Sequence, residues 1–423
     1  MHILFISAFY PPYVVGGWEQ LVRDINTRLQ ARGHTTHVLT SRYGVEPAQL
    51  PEPGVERSLS LESDLVSYKP LDFFFLHRQQ LESNLTVARQ SITRFNPDVI
   101  FIHVMWNLSR GIAWLAEQLC PGRVVYYIAN DWPYAPNTHQ AYWQDPAKLG
   151  WRQPVKQLLA PFALRALDQE MDRFPLQFEK VMCVSQAVRR DLASHAGIPL
   201  ENMRVVYNGV ETDLFTPAGL DKNKPSPGLS LLYAGSLVPH KGVHTAVEAM
   251  ALLAQRPEID ALRLSIAGSG HPAYEAYLKK LVAQKGLGDR VQFLARVSRA
   301  EMPSLLRKFD VLVFPSTWDE PLSRMMQEAM SAGLVVVGTP TGGTPEILLE
   351  GETGLIFEPG NAGCLAARLE QLAGDSSLRS LLARNARQVV LERFDLGRMI
   401  DEIEAYLEQV VSRSQPEEAH TSV

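Results

Sequence analysis

The sequence predicts an α/β protein made of two doubly wound domains, each built on a largely parallel sheet. Short apolar runs alternate with helical stretches through the first 207 residues, and the same alternation begins again near residue 230. Continuous apolar runs that are separated by helices are typical of parallel strands covered on both faces. Between the two series, residues 216–228 contain three prolines and two glycines among lysines and polar residues, which is the composition of a linker.

The elements are predicted in chain order from apolar periodicity and from turn residues. In the first half, strands are predicted over residues 2–8, 37–40, 98–104, 123–128, 181–184 and 204–207, with helices over 18–32 and 158–171. In the second half, strands are predicted over residues 230–235, 263–267, 291–294, 310–314 and 334–338. The predicted domains are therefore residues 1–214 and 229–394, joined by a linker at 215–228. A final helix over about residues 397–411 precedes a tail, 412–423, that we expect to be disordered.

The composition is ordinary for a globular protein, with 46% hydrophobic and 21% charged residues in a chain of 423. The net charge of −5 shows no overall excess of basic residues, so we expect no nucleic-acid partner. Cys120, Cys183 and Cys364 are odd in number and far apart, which favours reduced thiols and a cytoplasmic location. We expect no signal peptide, because the N-terminus lacks a charged n-region, a long apolar region and a cleavage site. We expect no transmembrane helix, because no apolar run approaches 18 residues.

The loops at the carboxyl ends of the strands are the candidate binding sites, because doubly wound sheets bind ligands there. The loop after the first strand ends in Gly16 and Gly17 just before a helix, and paired glycines let backbone N–H groups approach a phosphate or a sugar. A plain tight turn explains the same pair equally well. His103 lies at the end of another predicted strand and is a candidate to face the site, although a lone histidine is more often structural.

A long segment rich in aromatic residues, 131–179, follows the predicted strand at 123–128. Aromatic rings beside polar groups are typical of a surface that binds a sugar or a lipid acceptor, and core packing of an inserted segment is equally consistent with them. Asn130 and Asp131 stand directly after the strand, which makes them candidates for the acceptor side of a site.

Two glutamates lie between the predicted strands at 310–314 and 334–338. Glu320 is in the loop and Glu328 is about two turns into the predicted helix, so their carboxylates are separated by about 10 Å or more along the axis. Retaining glycosidases place two carboxylates about 5 Å apart and inverting ones about 6.5–9.5 Å apart, so a hydrolytic pair is disfavoured. Two acceptors beside a helix start instead suit the hydroxyl groups of a sugar and a ribose. On spacing alone, one loop glutamate and one solvated glutamate remain the alternative.

The start of that helix is a candidate anion site. Pro321 suits the first helical turn, so Ser323 and its neighbours, Arg324 among them, are expected to offer N–H groups to a phosphate. Lys241, beside a glycine at another helix start, adds a full charge that suits a pyrophosphate, whereas a solvated lysine is the alternative. Gly342 and Gly343 follow the strand at 334–338 and could admit the donor, or simply form a strained turn.

One motif points to another class of enzyme. Residues 266–273 read Ile-Ala-Gly-Ser-Gly-His-Pro-Ala, which fits the dinucleotide fingerprint after a strand and before a helix. No acidic residue ends the following strand at 291–296, and a proline interrupts the motif. A dehydrogenase is therefore disfavoured, and the glycines better suit a loop beneath a nucleotide.

Together these motifs resemble the family-4 glycosyltransferases over almost the whole chain and in the family order. The resemblance implies the GT-B fold, in which two Rossmann-like domains face each other across a cleft and the last helix returns to the first, acceptor-side domain. Glu320 matches the family residue that contacts the donor sugar, Glu328 the one that holds the ribose, and Lys241 the lysine at the diphosphate. The family usually has an arginine where this chain has Ser236, and Arg324 is a candidate replacement.

The resemblance implies transfer of a sugar from a nucleotide-diphosphate donor to a hydroxyl group of a glycan, a lipid-linked acceptor or a small molecule, with retention at the anomeric carbon. We expect no cofactor and no metal, since no Asp-x-Asp motif is present. Peripheral contact with a membrane is left open. A histidine often occupies the family position of Asn130, so a base there is in doubt. Two alternatives stay open: a catalytically silent subunit that binds sugar nucleotides, and another enzyme of activated sugars, such as an epimerase or a phosphorylase.

Overall fold

The computed structural model describes residues 1–14, 16–46, 52–145, 153–217, 228–256 and 262–414. It divides into two compact units. The first unit contains Met1–Val184, Val188–Val206 and the residues from Ile400 onward, and the second contains Ser185–Ala187 and Tyr207–Met399. Most of the predicted linker, residues 218–227, and the predicted tail beyond residue 414 lie outside the described residues.

A parallel sheet forms the centre of the first unit, as the sequence predicts. Its strands are β1 (His2–Ser7), β2 (Thr35–Ser41), β3 (Val55–Leu59), β4 (Val99–Ile102), β5 (Val124–Ile128), β6 (Val181–Cys183) and β7 (Met203–Val205). Their spatial order is β3-β2-β1-β4-β5-β6-β7, and every described pair is parallel. β3 was not predicted, because it is an edge strand whose residues are polar and mostly half-buried, so no apolar run marks it.

The helices that accompany this sheet in the chain are α1 (Trp18–Ala31), α2 (Pro70–Phe75), α3 (His77–Phe95), α4 (Arg110–Leu119), α5 (Thr138–Gln144), α6 (Gln153–Arg173) and α7 (Gln186–His195). α1 buries an apolar stripe that includes Leu21, Ile25 and Leu29, at the spacing of one helical face. Gly33 follows it with a φ of 90°, a backbone conformation that ends a helix and favours glycine.

The aromatic-rich segment builds a small core of its own. Phe73 of α2 packs there with Trp143, Ala163 and Leu167, the last two from α6. Part of this segment is therefore core packing, which was one of the two explanations left open. Trp151, which belongs to the same segment, lies outside the described residues.

The second unit is also built on a parallel sheet. Its strands are β8 (Ser230–Ala234), β9 (Arg263–Ala267), β10 (Val291–Leu294), β11 (Val311–Phe314), β12 (Val335–Gly338) and β13 (Gly354–Ile356). Their order is β10-β9-β8-β11-β12-β13, and every described pair is parallel. β13 was not predicted, because a three-residue edge strand leaves no recognisable pattern.

The remaining helices are α8 (Val243–Leu253), α9 (Pro272–Gln284), α10 (Met302–Leu306), α11 (Arg324–Ser331), α12 (Ala362–Gly374), α13 (Ser376–Arg393) and α14 (Leu396–Ser414). α14 includes residues 412–414, so the prediction of disorder from residue 412 is wrong for these three. From Ile400 onward α14 belongs to the first unit. Arg32 anchors it there through an ion pair with Asp401, at 2.6 Å between Nη2 and Oδ1.

Several large apolar side chains of α2 and α6 are exposed. Phe75 is 77% exposed, Leu158 is 69% exposed and Phe162 is 66% exposed. Even so, none of the helices in the described part of the chain combines the length and the apolar character that crossing a bilayer requires. The three cysteines are free thiols, two of them buried and Cys364 half-buried.

Candidate donor site

Lys241 and Glu320 form an ion pair at the carboxyl ends of two neighbouring strands. Lys241 follows β8 and Glu320 follows β11, and these strands are adjacent and parallel, so their loops emerge side by side. The ammonium group of Lys241 contacts Oε1 of Glu320, and Oγ of Ser316 donates to the same oxygen at 3.0 Å. The lysine side chain is 25% exposed and the glutamate 11%, so the pair lies in a partly desolvated position that still faces solvent.

The structure thus brings together two residues that the sequence assigned to one ligand. Ser316 was not predicted as part of this group. The only signal for it is its position just after β11, at the sheet edge where ligands bind.

The backbone of the Lys241 loop is fixed by a close approach to the end of β11. Pro239–Lys241 is a single 3₁₀ turn, and Gly242, with a φ of 66°, precedes α8. A Cβ at Gly242 would lie 1.9 Å from the carbonyl oxygen of Pro315, so a larger residue would push the two loops apart. The carbonyl of His240 also accepts from the N–H of Thr317 at 2.9 Å. Lys241 is therefore held in place from both strands.

Gly342 and Gly343 hold the loop that carries Glu320. The N–H of Gly343 donates to the carbonyl of Glu320 at 2.7 Å, and the N–H of Gly342 donates to Oδ1 of Asp319 at 3.1 Å. A Cβ at Gly342 would lie 2.3 Å from the carbonyl oxygen of Glu320, and one at Gly343 would lie 2.1 Å from that of Pro321. The close approach explains why both are glycines. Direct contact of this pair with the donor stays a prediction.

The start of α11 differs in detail from the prediction. Pro321 does not lie in the first helical turn, because the helix begins at Arg324 and Ser323 is its N-cap. Oγ of Ser323 accepts from the N–H of Met326 at 3.3 Å, so this side chain satisfies one of the first N–H groups of the helix. Arg324 is half-buried at the first helical position, and Glu328 is buried further along the helix.

Ser236 is exposed, and its loop packs on the glycine motif that resembled a dinucleotide fingerprint. A Cβ at Gly268 would lie 1.9 Å from the carbonyl oxygen of Gly235, and one at Gly270 would lie 2.2 Å from that of Leu237. The N–H of Leu237 also donates to the carbonyl of Ser269 at 3.1 Å. The glycines of residues 266–273 are thus required by the packing of two loops against each other.

The predicted glycine loop of the first unit is engaged within the protein. The N–H of Gly16 donates to Oε2 of Glu19 at 3.0 Å, and Glu19 is buried in the first turn of α1. Gly17 is the N-cap of that helix. Val15, the residue of the predicted loop just before these glycines, lies outside the described residues.

His103 is buried beyond β4 and stacks on the ring of Tyr127, with ring centres 5.4 Å apart. Its Nδ1 lies 2.7 Å from the carbonyl oxygen of Tyr127, so Nδ1 carries a hydrogen and donates it. Burial lowers the pKa of His103 to about 4. His103 is therefore neutral at pH 7 and, with so low a pKa, a weak base.

Asn130 is buried and Asp131 is half-exposed at the carboxyl end of β5. The backbone carbonyl of Asp131 accepts from the N–H groups of Tyr134 and Ala135, at 3.0 and 2.8 Å, which fixes the start of the aromatic-rich segment. Within the described ranges, no three His, Cys, Asp or Glu side chains come close enough together to hold a metal ion.

The fold and these loops define an α/β protein with two Rossmann-like units, the class of the GT-B proteins. The family model for Glycosyl transferases group 1 matches residues 221–389, and the model for Glycosyltransferase Family 4 matches residues 15–214. The chain belongs to the family-4 glycosyltransferases of the GT-B fold.

Individual relatives agree with this assignment. A glycogen synthase of Mycobacterium tuberculosis is 25% identical over 407 residues, which are 93% of this chain and 91% of that protein. The fold matches sucrose-phosphate synthase from Thermosynechococcus elongatus with a TM-score of 0.73 and 21% identity, over 98% of this chain and all of that one. It also matches Anabaena HepE in complex with UDP-glucose, with a TM-score of 0.69 and 23% identity, over 97% of this chain and all of that one.

Proposed function

We propose that this glycosyltransferase moves a sugar from a nucleotide-diphosphate donor to a hydroxyl group, with retention at the anomeric carbon. The observation that carries the proposal is the Lys241–Glu320 ion pair at the carboxyl ends of β8 and β11. It combines a cation for a diphosphate with a carboxylate for sugar hydroxyls, at the edge of the sheet where this kind of fold binds ligands.

Positive charge is the first requirement of the reaction. The bond between the anomeric carbon and the donor oxygen breaks, so negative charge grows on the departing diphosphate. Lys241 would stabilise this charge, assisted by Arg324 and by the N-terminal end of α11. The acceptor oxygen forms the new bond to the anomeric carbon, and its proton passes to the departing diphosphate. No covalent intermediate with the protein is needed.

Glu320 would act by positioning. Its Oε1 is already bound by Lys241 and by Ser316 at 3.0 Å, which orients the carboxylate. An oriented carboxylate accepts hydrogen bonds from sugar hydroxyls and so fixes the donor sugar. Glu328, buried in α11, would hold the ribose. Gly342 and Gly343 would support the donor sugar by holding the Glu320 loop.

The acceptor side would lie in the first unit, at Asn130 and Asp131, and the acceptor would be a glycan or a lipid-linked sugar. Neutral His103 would contribute as a hydrogen-bonding group rather than as a strong base, because its pKa is about 4. Lys241 and Arg324 supply the charge that a divalent ion otherwise provides, so we propose transfer without a metal. The free thiols support a cytoplasmic location.

The test begins with calorimetric binding of UDP, GDP and ADP, each with EDTA and again with magnesium. Anabaena HepE holds UDP-glucose, so UDP is the first choice. We expect one nucleotide to bind equally well in both conditions and the matching nucleotide sugar to be slowly hydrolysed. Glu328→Ala should weaken that binding about tenfold, the effect of losing a hydrogen bond to a charged group.

Three outcomes would contradict parts of the proposal. Binding that needs magnesium would reject metal independence. Binding without turnover of any nucleotide sugar would favour the catalytically silent subunit. The exposed Ser236, which stands where the family usually has an arginine, would then be the first residue to test as the cause of the missing activity. No binding of any nucleotide would reject the donor site itself.

We further propose that α2 and α6 contact a membrane at its surface. Phe75, Leu158 and Phe162 are exposed apolar side chains that would lie in the interface between headgroups and acyl chains. The triple change of these residues to serine should reduce co-sedimentation with vesicles of phosphatidylglycerol and phosphatidylcholine. Leu381→Ser, an exposed leucine of α13, is the matched control. Equal co-sedimentation of all variants would reject the contact.

A further inference from the structure

Glu328, the residue proposed to hold the ribose, depends on a short helix for its position. α11 has only eight residues, Arg324–Ser331, and helices of this length are marginal on their own, so contacts with the rest of the second unit hold it in place. All of its residues from Met326 onward are buried. Gln327, directly before Glu328, is 0% exposed, and an amide is costly to bury unless it is hydrogen-bonded.

The amide of Gln327 contacts Asn208. Its Nε2 donates to the backbone carbonyl of Asn208 at 3.0 Å, and its Oε1 lies 3.4 Å from Nδ2 of the same residue. Because a carbonyl oxygen can only accept, the first contact determines the orientation of the glutamine amide. Asn208 is buried as well, and both residues belong to the second unit. The contact therefore joins α11 to a distant stretch of chain in the same unit.

A second polar contact ties the other end of α11 to the same stretch of chain, residues 207–215, which we call the bracing segment. Oγ of Ser331 donates to the carbonyl of Phe215 at 2.8 Å. The bracing segment is fixed in turn, because the N–H of Val210 donates to the carbonyl of Phe394 at 2.9 Å. The bracing segment thus holds α11 both near its start and at its end.

The two contacts lie on one face of α11. Gln327 and Ser331 are four residues apart, which places them one above the other on the helix surface. Glu328 follows Gln327 and lies about 100° further around the axis. A helix that is attached along one face near both ends cannot rotate freely about its axis. Rotation is the movement that would turn the Glu328 carboxylate away from a ligand.

We propose that Gln327 is a positioning residue for Glu328: its contact with Asn208 fixes the rotation of α11 and so keeps the carboxylate at the ribose of the donor. The inference rests on the proposed function, which assigns the ribose to Glu328. An apolar side chain of similar size would fill the same buried position without the cost of desolvating an amide, so the glutamine serves placement more than stability. Gln327 takes no part in bond formation and acts only through Glu328.

The test compares the binding of UDP with that of its 2′-deoxy and 3′-deoxy analogues, by calorimetry of the full chain. If the wild type binds GDP or ADP instead, the analogues of that nucleotide are used. We expect the wild type to bind the ribonucleotide about tenfold more tightly than at least one analogue, the effect of losing a hydrogen bond to a charged group. Glu328→Ala should abolish this preference and gives the reference for its complete loss.

Gln327→Met keeps the length of the side chain and removes its N–H donor. It should reduce the preference for the ribonucleotide to about threefold or less, because a displaced carboxylate forms a longer and weaker hydrogen bond. Gln327→Leu provides the same test if Gln327→Met shows no cooperative thermal unfolding. Leu281→Ala in α9 is the control, since it leaves a cavity in the core of the second unit and lowers the melting temperature. It should keep the full preference.

The inference is overturned if the Gln327 variants keep the wild-type preference, even when they bind all three nucleotides more weakly. It is also overturned if Leu281→Ala loses the preference to the same extent, since a loss of stability then explains the effect. A wild type without any preference, or a Glu328→Ala variant that retains it, overturns the inference together with the ribose role of Glu328. Binding of the ribonucleotide itself by the wild type then shows whether the proposed donor site stands.

Discussion

Lys241→Met is expected to lower the turnover of sugar transfer at least about 100-fold, the loss typical when a charge that stabilises a transition state is removed. The change removes the positive charge at the proposed diphosphate position. It also leaves the carboxylate of Glu320 partly buried without its cation. Because the charge on the diphosphate grows as the donor bond breaks, turnover should fall more than nucleotide affinity does.

The measurement is steady-state kinetics with a saturating donor, combined with calorimetric nucleotide binding. Lys285→Met is a matched control, because Lys285 is an exposed lysine of the same unit at the end of α9. It should leave both quantities unchanged. Turnover and nucleotide affinity of Lys241→Met both within a few fold of the wild type would remove Lys241 from the diphosphate position. Lower nucleotide affinity with unchanged turnover would assign it to ground-state binding alone.

Gly342→Ala should have an effect of similar size through the backbone alone. The φ of 54° at Gly342 costs an alanine about 1–2 kcal/mol. The new methyl group would also meet the carbonyl oxygen of Glu320 at 2.3 Å, so the loop that carries the carboxylate must move. Because Glu320 must be accurately placed, we expect turnover to fall about 100-fold, as a small displacement of a positioning group can cause.

Gly351→Ala separates the effect of backbone strain from the effect of displacing the Glu320 loop. Gly351 has a similar φ of 71°, but a Cβ there has no other atom within 4 Å. This variant should lose about 1 kcal/mol of unfolding free energy and keep its turnover. Thermal unfolding and kinetics of the two variants give the comparison. Equal turnover of Gly342→Ala and Gly351→Ala would mean that the Glu320 loop does not position the donor.

Most of the fold was accessible from the sequence because buried parallel strands are continuous apolar runs. β1 is buried from its second residue onward, and β11 and β12 are buried throughout. The two strands that were not predicted are β3 and β13, because an edge strand does not need a continuous apolar run. The last residues of α14 were predicted to be disordered. Polar residues can either continue a helix or follow its end, so the sequence does not mark the residue at which α14 ends.

The site was accessible only in part. The motifs supplied Lys241 and Glu320 as separate candidates, but their contact depends on β8 and β11 being neighbours, which the order of elements along the chain does not reveal. The role of Gly342 in holding the Glu320 loop depends on how closely two backbones approach each other, and the sequence does not show that distance.

The return of α14 to the first unit makes the two units unequal as pieces of polypeptide. The second unit is almost one uninterrupted stretch, Tyr207–Met399, whereas the first also depends on a segment that follows the second unit in the chain. A ribosome must therefore synthesise the whole second unit before the first unit can be complete, and a stop codon just before Ile400 would truncate the first unit and leave the second intact. The second unit is the natural candidate for an independently folding fragment.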